Sequence, residues 1–281
     1  MVLMIIAILV VVGLCFGSFV NALVWRVHEQ AGRKGKQTDR ARLSIARGRS
    51  MCPDCGHGLA GKDLVPVLSW LALRGKCRYC GKPVSFQYPL VELLTAGLFA
   101  ALYIWWPVPF TTAQTVVFVL WLALATGFMA LIVYDLRWML LPDRIMHPMA
   151  VLAGVVAVIS IATAPNPAMA LLNTVLAVAV GGGIFYVLFQ VSKGKWIGGG
   201  DVKLGWMLGL LVATPARSVL LIFLAALLGS LVSVPLLLAR RMKRASVVPF
   251  GPFLIAAAII VHLFGHTMLS WYQKTFLSFT L

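Results

Sequence analysis

The sequence is poor in acidic residues. Only 8 of its 281 residues are Asp or Glu, against 24 Lys and Arg, so the formal net charge is +16. A basic surplus of this size can indicate nucleic-acid binding. Membrane proteins also retain basic residues in their cytoplasmic segments, and this explanation fits better, so we expect no nucleic-acid partner. The acids are Glu29, Asp39, Asp54, Asp63, Glu92, Asp135, Asp143 and Asp201.

Two further absences concern the membrane. The sequence lacks the alternating polar and apolar residues of barrel strands, which argues against a membrane barrel. No basic segment precedes the first apolar run, "MVLMIIAILVVVGLCFGSFVNALVW", so a cleaved secretory signal is not indicated. Hydrophobic residues make up 61% of the chain, too many for a soluble domain. The first run therefore predicts an uncleaved membrane span with its N-terminus outside.

These features predict an all-α polytopic membrane protein. We expect a first transmembrane helix at 1–25, a cytoplasmic metal-binding domain at 26–88 and a seven-helix membrane domain at 89–281. The seven later apolar runs bring the expected total to about eight spans, of which the run at 202–214 is only about 20 Å long as a helix. That run must include the glycines before it, thin the bilayer or pack inside the bundle. The runs are 89–107, 114–134, 148–164, 168–192, 202–214, 218–239 and 251–268.

The positions of the basic residues fix the expected orientation. Alternate crossing of these spans places 26–88, 135–147, 193–201 and 240–250 on one side of the membrane. Of all Lys and Arg residues, only Arg217 and Lys274 then fall on the other side. The basic side is the cytoplasmic side.

Four of the five cysteines form two short pairs. Cys52 and Cys55 lie in "CPDCGHG", and Cys77 and Cys80 lie in "CRYCGKP". Two thiolates on each tight turn, followed by a glycine, are typical of a zinc-ribbon-like domain. Four protein ligands leave no open position for chemistry, so we expect one structural Zn²⁺, favoured over iron. The alternatives are a disulfide pair or free thiols, and a reducing compartment argues against the disulfides.

Three acids lie at the ends of apolar runs. "VYDLRWMLLPDR" holds Asp135 and Asp143, and "GGGDVKL" holds Asp201. Ionisable groups at membrane depth are costly and are commonly functional. Two spans separate Asp135 from Asp201, so both end at the same face, where a pair of carboxyl groups can share a proton and activate water. The alternative is that the three acids are helix caps or ion-pair partners of Arg137, Arg144 and Lys203, and this is strongest for Asp143, in a Pro-Asp helix start.

The glycines before Asp201 indicate which kind of substrate the two carboxyl groups can act on. Gly198, Gly199 and Gly200 carry no side chains, so an extended peptide backbone can approach the carboxyl group closely. The pattern predicts an aspartyl protease, with these glycines admitting the substrate.

In these motifs the sequence resembles the type IV prepilin peptidase family, also called leader peptidase/N-methyltransferase. "GGGD" (198–201) is similar to its Gly-x-Gly-Asp signature, and "YDLRWMLLPD" to its first-aspartate motif. "FGSFVNALVWRV" (16–27), the paired CxxC units and "SFQYPLVELLTA" (85–96) also fit. The resemblance implies Asp135 and Asp201 as catalytic residues in the bacterial inner membrane, with cleavage of the basic leader of type IV prepilins or type II secretion pseudopilins at the cytosolic face.

The resemblance further implies N-methylation of the new N-terminus by S-adenosylmethionine. Gly75 occupies the position, two residues before the third cysteine, that the family links to methylation. Glu92 in "YPLVELL" either pairs with a basic loop residue or lines the methyl-donor or substrate site. The glycines at 198–200 follow no predicted strand, so a nucleotide-binding fold is not indicated.

Two other classes of function stay open on the residues alone. In an ion-coupled transporter with a zinc-ribbon regulatory module, the acids would face a path open alternately to both sides. In a scaffold of a secretion machine, Asp135 and Asp201 would be replaceable. The expected partners are prepilin or pseudopilin helices and membrane lipid, and the sequence leaves the oligomeric state open.

Overall fold

The computed structural model describes residues 1–32, 43–45, 48–239 and 248–277. Across these ranges the protein is helical, and its only β-pairing is two isolated antiparallel bridges. Seven of the described helices are long and apolar enough to cross a membrane. They are α1 (Val2–Gly32), α3 (Gln87–Ile104), α4 (Thr112–Trp138), α5 (Asp143–Ala162), α6 (Pro167–Ser192), α8 (Pro215–Leu238) and α9 (Gly251–Tyr272), the last continued by a π-helical turn, Gln273–Leu277.

The eighth predicted span forms a shorter helix. α7 runs over Gly199–Val212, 14 residues, which rise about 21 Å, less than the roughly 30 Å hydrocarbon core. It takes in Gly199 and Gly200, as expected for so short a run, and it packs against α5, α6 and α9. α7 is therefore held inside the bundle by its neighbours.

The described residues form two compact units. The first is made of Met1–Ile104 with Ala125–Ala130, and the second of Trp105–Leu124 with Leu131–Leu281. The predicted division at 25 and 88 stays a prediction. Asp39 and much of the basic sequence at 33–47 and 240–250 lie outside the described residues.

In the first unit, α1 and α3 pack antiparallel at very short distance. A Cβ placed on Gly17 would lie 2.5 Å from Cα of Glu92, and one on Gly13 would lie 2.6 Å from Cα of Ala96. Small residues at these points let the two backbones touch, which is how membrane helices commonly associate.

The first helix is longer than its apolar run. α1 continues past Trp25 to Gly32, and Arg26 is only 5% exposed. The Arg26 guanidinium donates hydrogen bonds to the backbone carbonyls of Gly48, at 2.9 Å, and Ser44, at 3.3 Å. These carbonyls stabilise a buried cation, and the helix therefore extends beyond the boundary expected at residue 25.

Residues 48–86 of the first unit make a small module between α1 and α3. It contains two cysteine loops, a 3₁₀ turn at Gly61–Asp63 and the short helix α2 (Leu68–Ala72). The two isolated bridges, Met51 with Gly58 and Lys76 with Pro83, each close one cysteine loop.

In the second unit, glycines seat α7 against α6. A Cβ on Gly205 would lie 2.6 Å from the carbonyl oxygen of Gly181, and one on Gly209 would lie 2.7 Å from Cα of Val178. Ser218 of α8 donates a hydrogen bond to the carbonyl of Ala177 on α6, at 2.9 Å. The α6–α7 contact fixes where α7 begins, and so where Asp201 lies.

Helices α6 and α8 both begin at a proline, Pro167 and Pro215. The Asn166 and Thr214 side chains accept hydrogen bonds from the backbone N–H groups of Met169 and Arg217, capping α6 and α8. Pro at the first helical position follows each cap, as is common at helix starts.

Candidate active site and metal centre

Asp135 lies in the last turn of α4. The sequence predicts a span that ends at residue 134, but the helix continues to Trp138 and stops at Met139, which adopts a left-handed conformation (φ 52°). Asp135 is therefore held by helical geometry, and it is buried, with 5% of its surface exposed. A carboxyl group at this depth needs polar neighbours.

Asp201 lies in the first turn of α7. Gly198 is the N-cap residue, and its backbone N–H faces the Asp201 carboxylate. The positive end of the helix dipole also favours a carboxylate there. Asp201 thus lies in the first turn, where an acid can cap a helix, and this position is compatible with a second role.

The structure brings the two aspartates together in the second unit. The negative charge of Asp135 acts on the carboxyl group of Asp201. The backbone N–H of Gly251, the first residue of α9, donates a hydrogen bond to Asp135. The last turn of α4 and the N-termini of α7 and α9 therefore converge on one pair of carboxyl groups.

Sequence reasoning missed two residues of this site, Gly251 and Leu141. A Cβ on Gly251 would lie 2.6 Å from Oδ2 of Asp135, and the Leu141 side chain lies against both Gly251 and Gly200. The signal was present in "PFGPF" (249–253), where a glycine between prolines starts a helix. Its meaning depends on which side chain faces that glycine, and only the tertiary structure supplies this.

The three glycines before Asp201 differ from one another. An added Cβ would meet nothing nearer than 3.6 Å at Gly198 and 3.8 Å at Gly199, and both residues are exposed. At Gly200 it would lie 3.1 Å from Cβ of Leu141. Packing therefore explains Gly200, whereas the space at Gly198 and Gly199 is open to a ligand.

Asp143 has the partner that its alternative interpretation required. It is the first residue of α5, and its carboxylate accepts a hydrogen bond from Nζ of Lys203 at 2.6 Å. Both side chains are about half exposed. Asp143 and Lys203 form a surface ion pair that links α5 to α7.

The four paired cysteines form one cluster in the first unit. Their Sγ atoms all lie within 4.8 Å of one another, and the Sγ atoms of Cys52 and Cys80 are 3.9 Å apart. Two sulfurs bound at about 2.3 Å to one tetrahedral zinc ion are roughly 3.8 Å apart. None of the four forms a disulfide bond in this structure, which argues against the disulfide alternative. The donor set and its spacing fit a zinc-ribbon-like metal site.

The two cysteine loops have the same backbone. The N–H of Cys52 donates to the carbonyl of His57 at 3.0 Å, and the N–H of Cys77 donates to that of Lys82 at 2.8 Å. The glycine after each pair, Gly56 or Gly81, has φ near +70°, a conformation that glycine adopts without strain. This repetition is what lets four thiols from distant positions meet at one point.

Hydrogen bonding prepares one thiol for a metal. The backbone N–H groups of Cys80 and Tyr79 point at Cys77 and lower the pKa of its thiol to about 7. A thiolate is the form that binds metal. Around the cluster, the Arg78 guanidinium donates to the Asp63 carboxylate at 2.7 Å and holds the pKa of Asp63 below its usual range.

Gly75 has a clear packing role. Its φ is +67°, and a Cβ there would lie 2.9 Å from Cζ2 of Trp70. The Trp70 indole N–H donates to the carbonyl of Val84 at 3.0 Å, and the N–H of Val84 donates to the carbonyl of Gly75 at 2.7 Å. Gly75 therefore lets the chain turn beneath Trp70 into the second cysteine loop.

Glu92 is buried on α3, and its carboxylate is hydrogen-bonded to the module. Its Oε2 accepts a hydrogen bond from the backbone N–H of Val67 at 2.7 Å, and Ser18 also donates to its carboxylate. Among the described residues, Glu92 therefore bonds to backbone and hydroxyl groups, in place of the basic loop residue expected as one alternative.

The chain matches two protein families. Residues 11–106 match the Bacterial Peptidase A24 N-terminal domain, and residues 117–234 match the Type IV leader peptidase family. The first match covers the module with α1 and α3, and the second covers Asp135 and Asp201. No solved structure matches the chain.

Curated relatives match over most of the chain. A protein of Aeromonas hydrophila is 33% identical over 94% of this chain and 92% of its own, and one of Bacillus subtilis is 31% identical over 95% and 98%. A third, from Pseudomonas aeruginosa, is 30% identical over 96% and 92%. All three are named prepilin leader peptidase/N-methyltransferase.

Proposed function

The chain belongs to the type IV leader peptidase family, and we propose that it is an intramembrane aspartic endopeptidase. Its substrates are the type IV prepilins or type II secretion pseudopilins, whose basic leader it removes at the cytosolic face of the bacterial inner membrane. The N-terminus lies outside, and the metal module and both aspartates lie on the cytoplasmic side. The observation that carries the proposal is the convergence of Asp135 and Asp201 at the ends of α4 and α7.

The chemistry follows from two neighbouring carboxyl groups. Asp135 and Asp201 share one proton, because two close carboxylates resist being charged together. The ionised group takes a proton from water, whose oxygen attacks the scissile carbonyl carbon, while the protonated group donates to the carbonyl oxygen. The C–N bond then breaks as the leaving amine takes up a proton, and no covalent enzyme intermediate forms.

Helix ends support these roles. The N–H of Gly251 donates to Asp135 and that of Gly198 faces Asp201, so each carboxyl group keeps its orientation while its partner changes protonation. The open space at Gly198 and Gly199 lets an extended substrate backbone reach Asp201. This supports an endopeptidase, because a peptide bond must lie against the carboxyl pair before water can attack it.

The metal has a structural role in the proposal. Cys52, Cys55, Cys77 and Cys80 would hold one Zn²⁺ between the two cysteine loops, and four protein ligands would leave no position for a substrate. No step of peptide cleavage passes through it.

Methylation of the new N-terminus by S-adenosylmethionine is the second activity that we propose. It is supported by the names of the relatives. Gly75 packs under Trp70 and Glu92 accepts a hydrogen bond from the N–H of Val67, so both residues are tied to the fold of the module, and the predicted link of each to methylation stays a prediction. Both act, in the proposal, by keeping the module folded.

Mass spectrometry of a prepilin incubated with the purified protein in detergent tests both activities. With the wild type we expect loss of the leader, and a further gain of one methyl group only when S-adenosylmethionine is present. Asp135→Asn and Asp201→Asn should each abolish leader loss, because each leaves the pair without one ionisable member.

Asp143→Asn is the matched control. It removes a carboxylate from the start of α5 that is paired with Lys203 and half exposed, so cleavage should stay near the wild-type rate. Normal cleavage by a folded Asp135→Asn or Asp201→Asn protein would remove that residue from the proposed pair. Replaceable aspartates are also what the scaffold alternative requires.

A further inference from the structure

The metal module carries an apolar patch on its surface. We define the apolar patch as five side chains that are each between 38% and 64% exposed: Leu64, Val65, Leu68, Leu71 and Phe86. Leu68 and Leu71 are three residues apart on α2 and therefore lie on one side of it. The Trp70 ring packs edge-on against Phe86 of the patch and lies beside Gly75. The patch is therefore made of exposed side chains of α2 and of the residues before it, together with Phe86.

The pairing of α1 with α3 gives the depth of this patch. Gly17 lies beside Glu92, and the Asn21 side-chain amide donates to the carbonyl of Tyr88 at 3.1 Å. The apolar run of α1 continues beyond these contacts to Trp25. Gly17 lies eight residues before Trp25, which is about 12 Å along a helix. The first two turns of α3 are therefore at membrane depth.

Glu92 ties α2 to that level. The N–H of Val67, the residue before α2, donates to the Glu92 carboxylate at 2.7 Å. A glutamate side chain leans toward the N-terminus of its helix, which here is the end near the module, so α2 starts alongside the first turns of α3. This is the depth at which interfacial helices lie, about 5–10 Å into the boundary between headgroups and acyl chains.

The connection to α2 is also held in an uncommon backbone conformation. Val67 has φ 61° and ψ −50°, and the N–H of Leu68 donates to the carbonyl of Pro66 at 2.6 Å, which is a strained γ-turn. A strained turn persists when its surroundings determine it, and the Glu92 bond does so here. The direction of α2 relative to α1 and α3 is thereby fixed.

Basic side chains accompany the patch in the sequence. Lys62, Arg74 and Lys76 are all exposed, and they flank the segment that contributes four of its five residues. Lys and Arg near a membrane surface bind the phosphates of anionic lipids. An exposed apolar surface with a polar or charged rim marks a site of interaction.

We propose that α2 lies in the inner boundary of the bilayer, with the apolar patch covered by lipid acyl chains and the basic residues at the headgroups. The module is then attached to the membrane through α2, beside α3, and is not a domain free in the cytosol. The proposal depends on α1 and α3 spanning the membrane and is independent of the catalytic assignment.

Photocrosslinking in vesicles tests the proposal. The photoreactive residue p-benzoylphenylalanine replaces Leu68, and the full-length protein is reconstituted into phosphatidylethanolamine vesicles that contain phosphatidylglycerol. The matched control carries the same residue at Gly58, which is exposed and where an added Cβ would meet no atom within 4 Å. After illumination, mass spectrometry should find lipid adducts at position 68 about tenfold more often than at position 58, because only the former enters the acyl region.

Two outcomes would overturn the proposal. Lipid adducts at position 68 that are as rare as those at the exposed position 58 would place α2 in water, and crosslinked dimers in place of lipid adducts would show that a second copy of the chain covers the patch. Metal content per chain verifies that each variant is folded. Should the Leu68 variant lose its metal, the same comparison is made at Leu71, whose side chain lies on the same side of α2.

Discussion

At the scale of single residues, this protein uses glycine where another atom would displace a functional group. Gly251 touches the Asp135 carboxylate, Gly200 touches Leu141, and Gly75 turns beneath Trp70. By contrast, Gly198 and Gly199 have room for a Cβ. The glycines of one motif therefore have different roles. The role of a glycine can be tested by replacing it with alanine, which adds one carbon atom.

Gly251→Ala should disturb the carboxyl pair. The new Cβ would lie 2.6 Å from Oδ2 of Asp135, so the carboxylate must rotate away from the N–H of Gly251 and from Asp201. Displacement of a reacting group by about 1 Å can lower a rate by about 10²-fold, and we expect a loss of that order in kcat for leader cleavage.

The control for Gly251 is Gly154→Ala on α5, where an added Cβ meets no atom within 4 Å. It should cleave at the wild-type rate. If Gly251→Ala also does so while Asp135→Asn is inactive, the contact between α9 and Asp135 has no part in catalysis.

Gly75→Ala should weaken metal binding. Alanine at φ +67° costs about 1–2 kcal/mol, and the Trp70 contact adds to this. The retained metal, measured by competition with a chelator, should fall by about 5–30-fold in apparent affinity. Gly58→Ala, which has neither constraint, should bind metal as the wild type does. Unchanged affinity in Gly75→Ala would mean that the turn adapts without strain.

At the scale of helices, the position of α7 is the feature that determines the site. α7 is too short to cross the membrane alone, and it is packed between α5, α6 and α9. The Lys203–Asp143 pair adds a polar link to α5, but an exposed ion pair contributes only about 0–1 kcal/mol. Close packing of α6 with α7 is therefore what sets the height of Asp201.

Gly209→Ala should push α7 away from α6. Its Cβ would lie 2.7 Å from Cα of Val178, which is backbone and cannot swing aside. Overpacking of this kind costs about 1–3 kcal/mol, so the thermal unfolding temperature in detergent should fall and cleavage should slow.

Gly183→Ala is the matched control for Gly209, because it changes a glycine of α6 where an added Cβ meets nothing within 4 Å. It should unfold at the wild-type temperature. Equal stability of the two variants would show that α6 and α7 separate at little cost.

At the scale of the whole molecule, metal binding and the carboxyl pair lie in different compact units. The four cysteines belong to the first unit, and Asp135, Asp201 and Gly251 belong to the second. Contacts inside each unit position the functional residues of that unit. A change in the metal site should therefore perturb the first unit before the second, and a change in the carboxyl pair should perturb the second unit first.

Removal of the metal should therefore unfold the module first. We expect one zinc ion per chain by elemental analysis, and its loss in Cys52→Ser. In the chelated protein, the amides of Cys52 and Cys77, which bond to His57 and Lys82, should exchange hydrogen rapidly, while those of α6 and α7 stay protected.

Cys15→Ser is the control for this experiment, because Cys15 lies on α1 outside the cluster. It should retain the full metal content. Iron in place of zinc, or full metal content in Cys52→Ser, would contradict the assignment of the four-cysteine site.

The membrane class, the metal ligands and the two important acids could be predicted from the sequence alone. Long apolar runs predict helices within a few residues of those observed, because burial in lipid leaves the backbone few alternatives. The CxxC pairs predict their cluster, because local turns place two thiols each. The scarcity of acids made Asp135 and Asp201 conspicuous.

The contacts between distant parts of the backbone are visible only in the folded structure. In that structure α4 continues beyond Asp135, and Gly251 lies against the Asp135 carboxylate. Asp143 pairs with Lys203, and Glu92 accepts a hydrogen bond from the N–H of Val67. These are contacts between residues from 25 to 116 positions apart. Local sequence patterns reflect the environment of each residue along its own helix. The partner of a residue on another helix depends on how closely the helices pack, which the glycines at the α1–α3 and α6–α7 contacts determine.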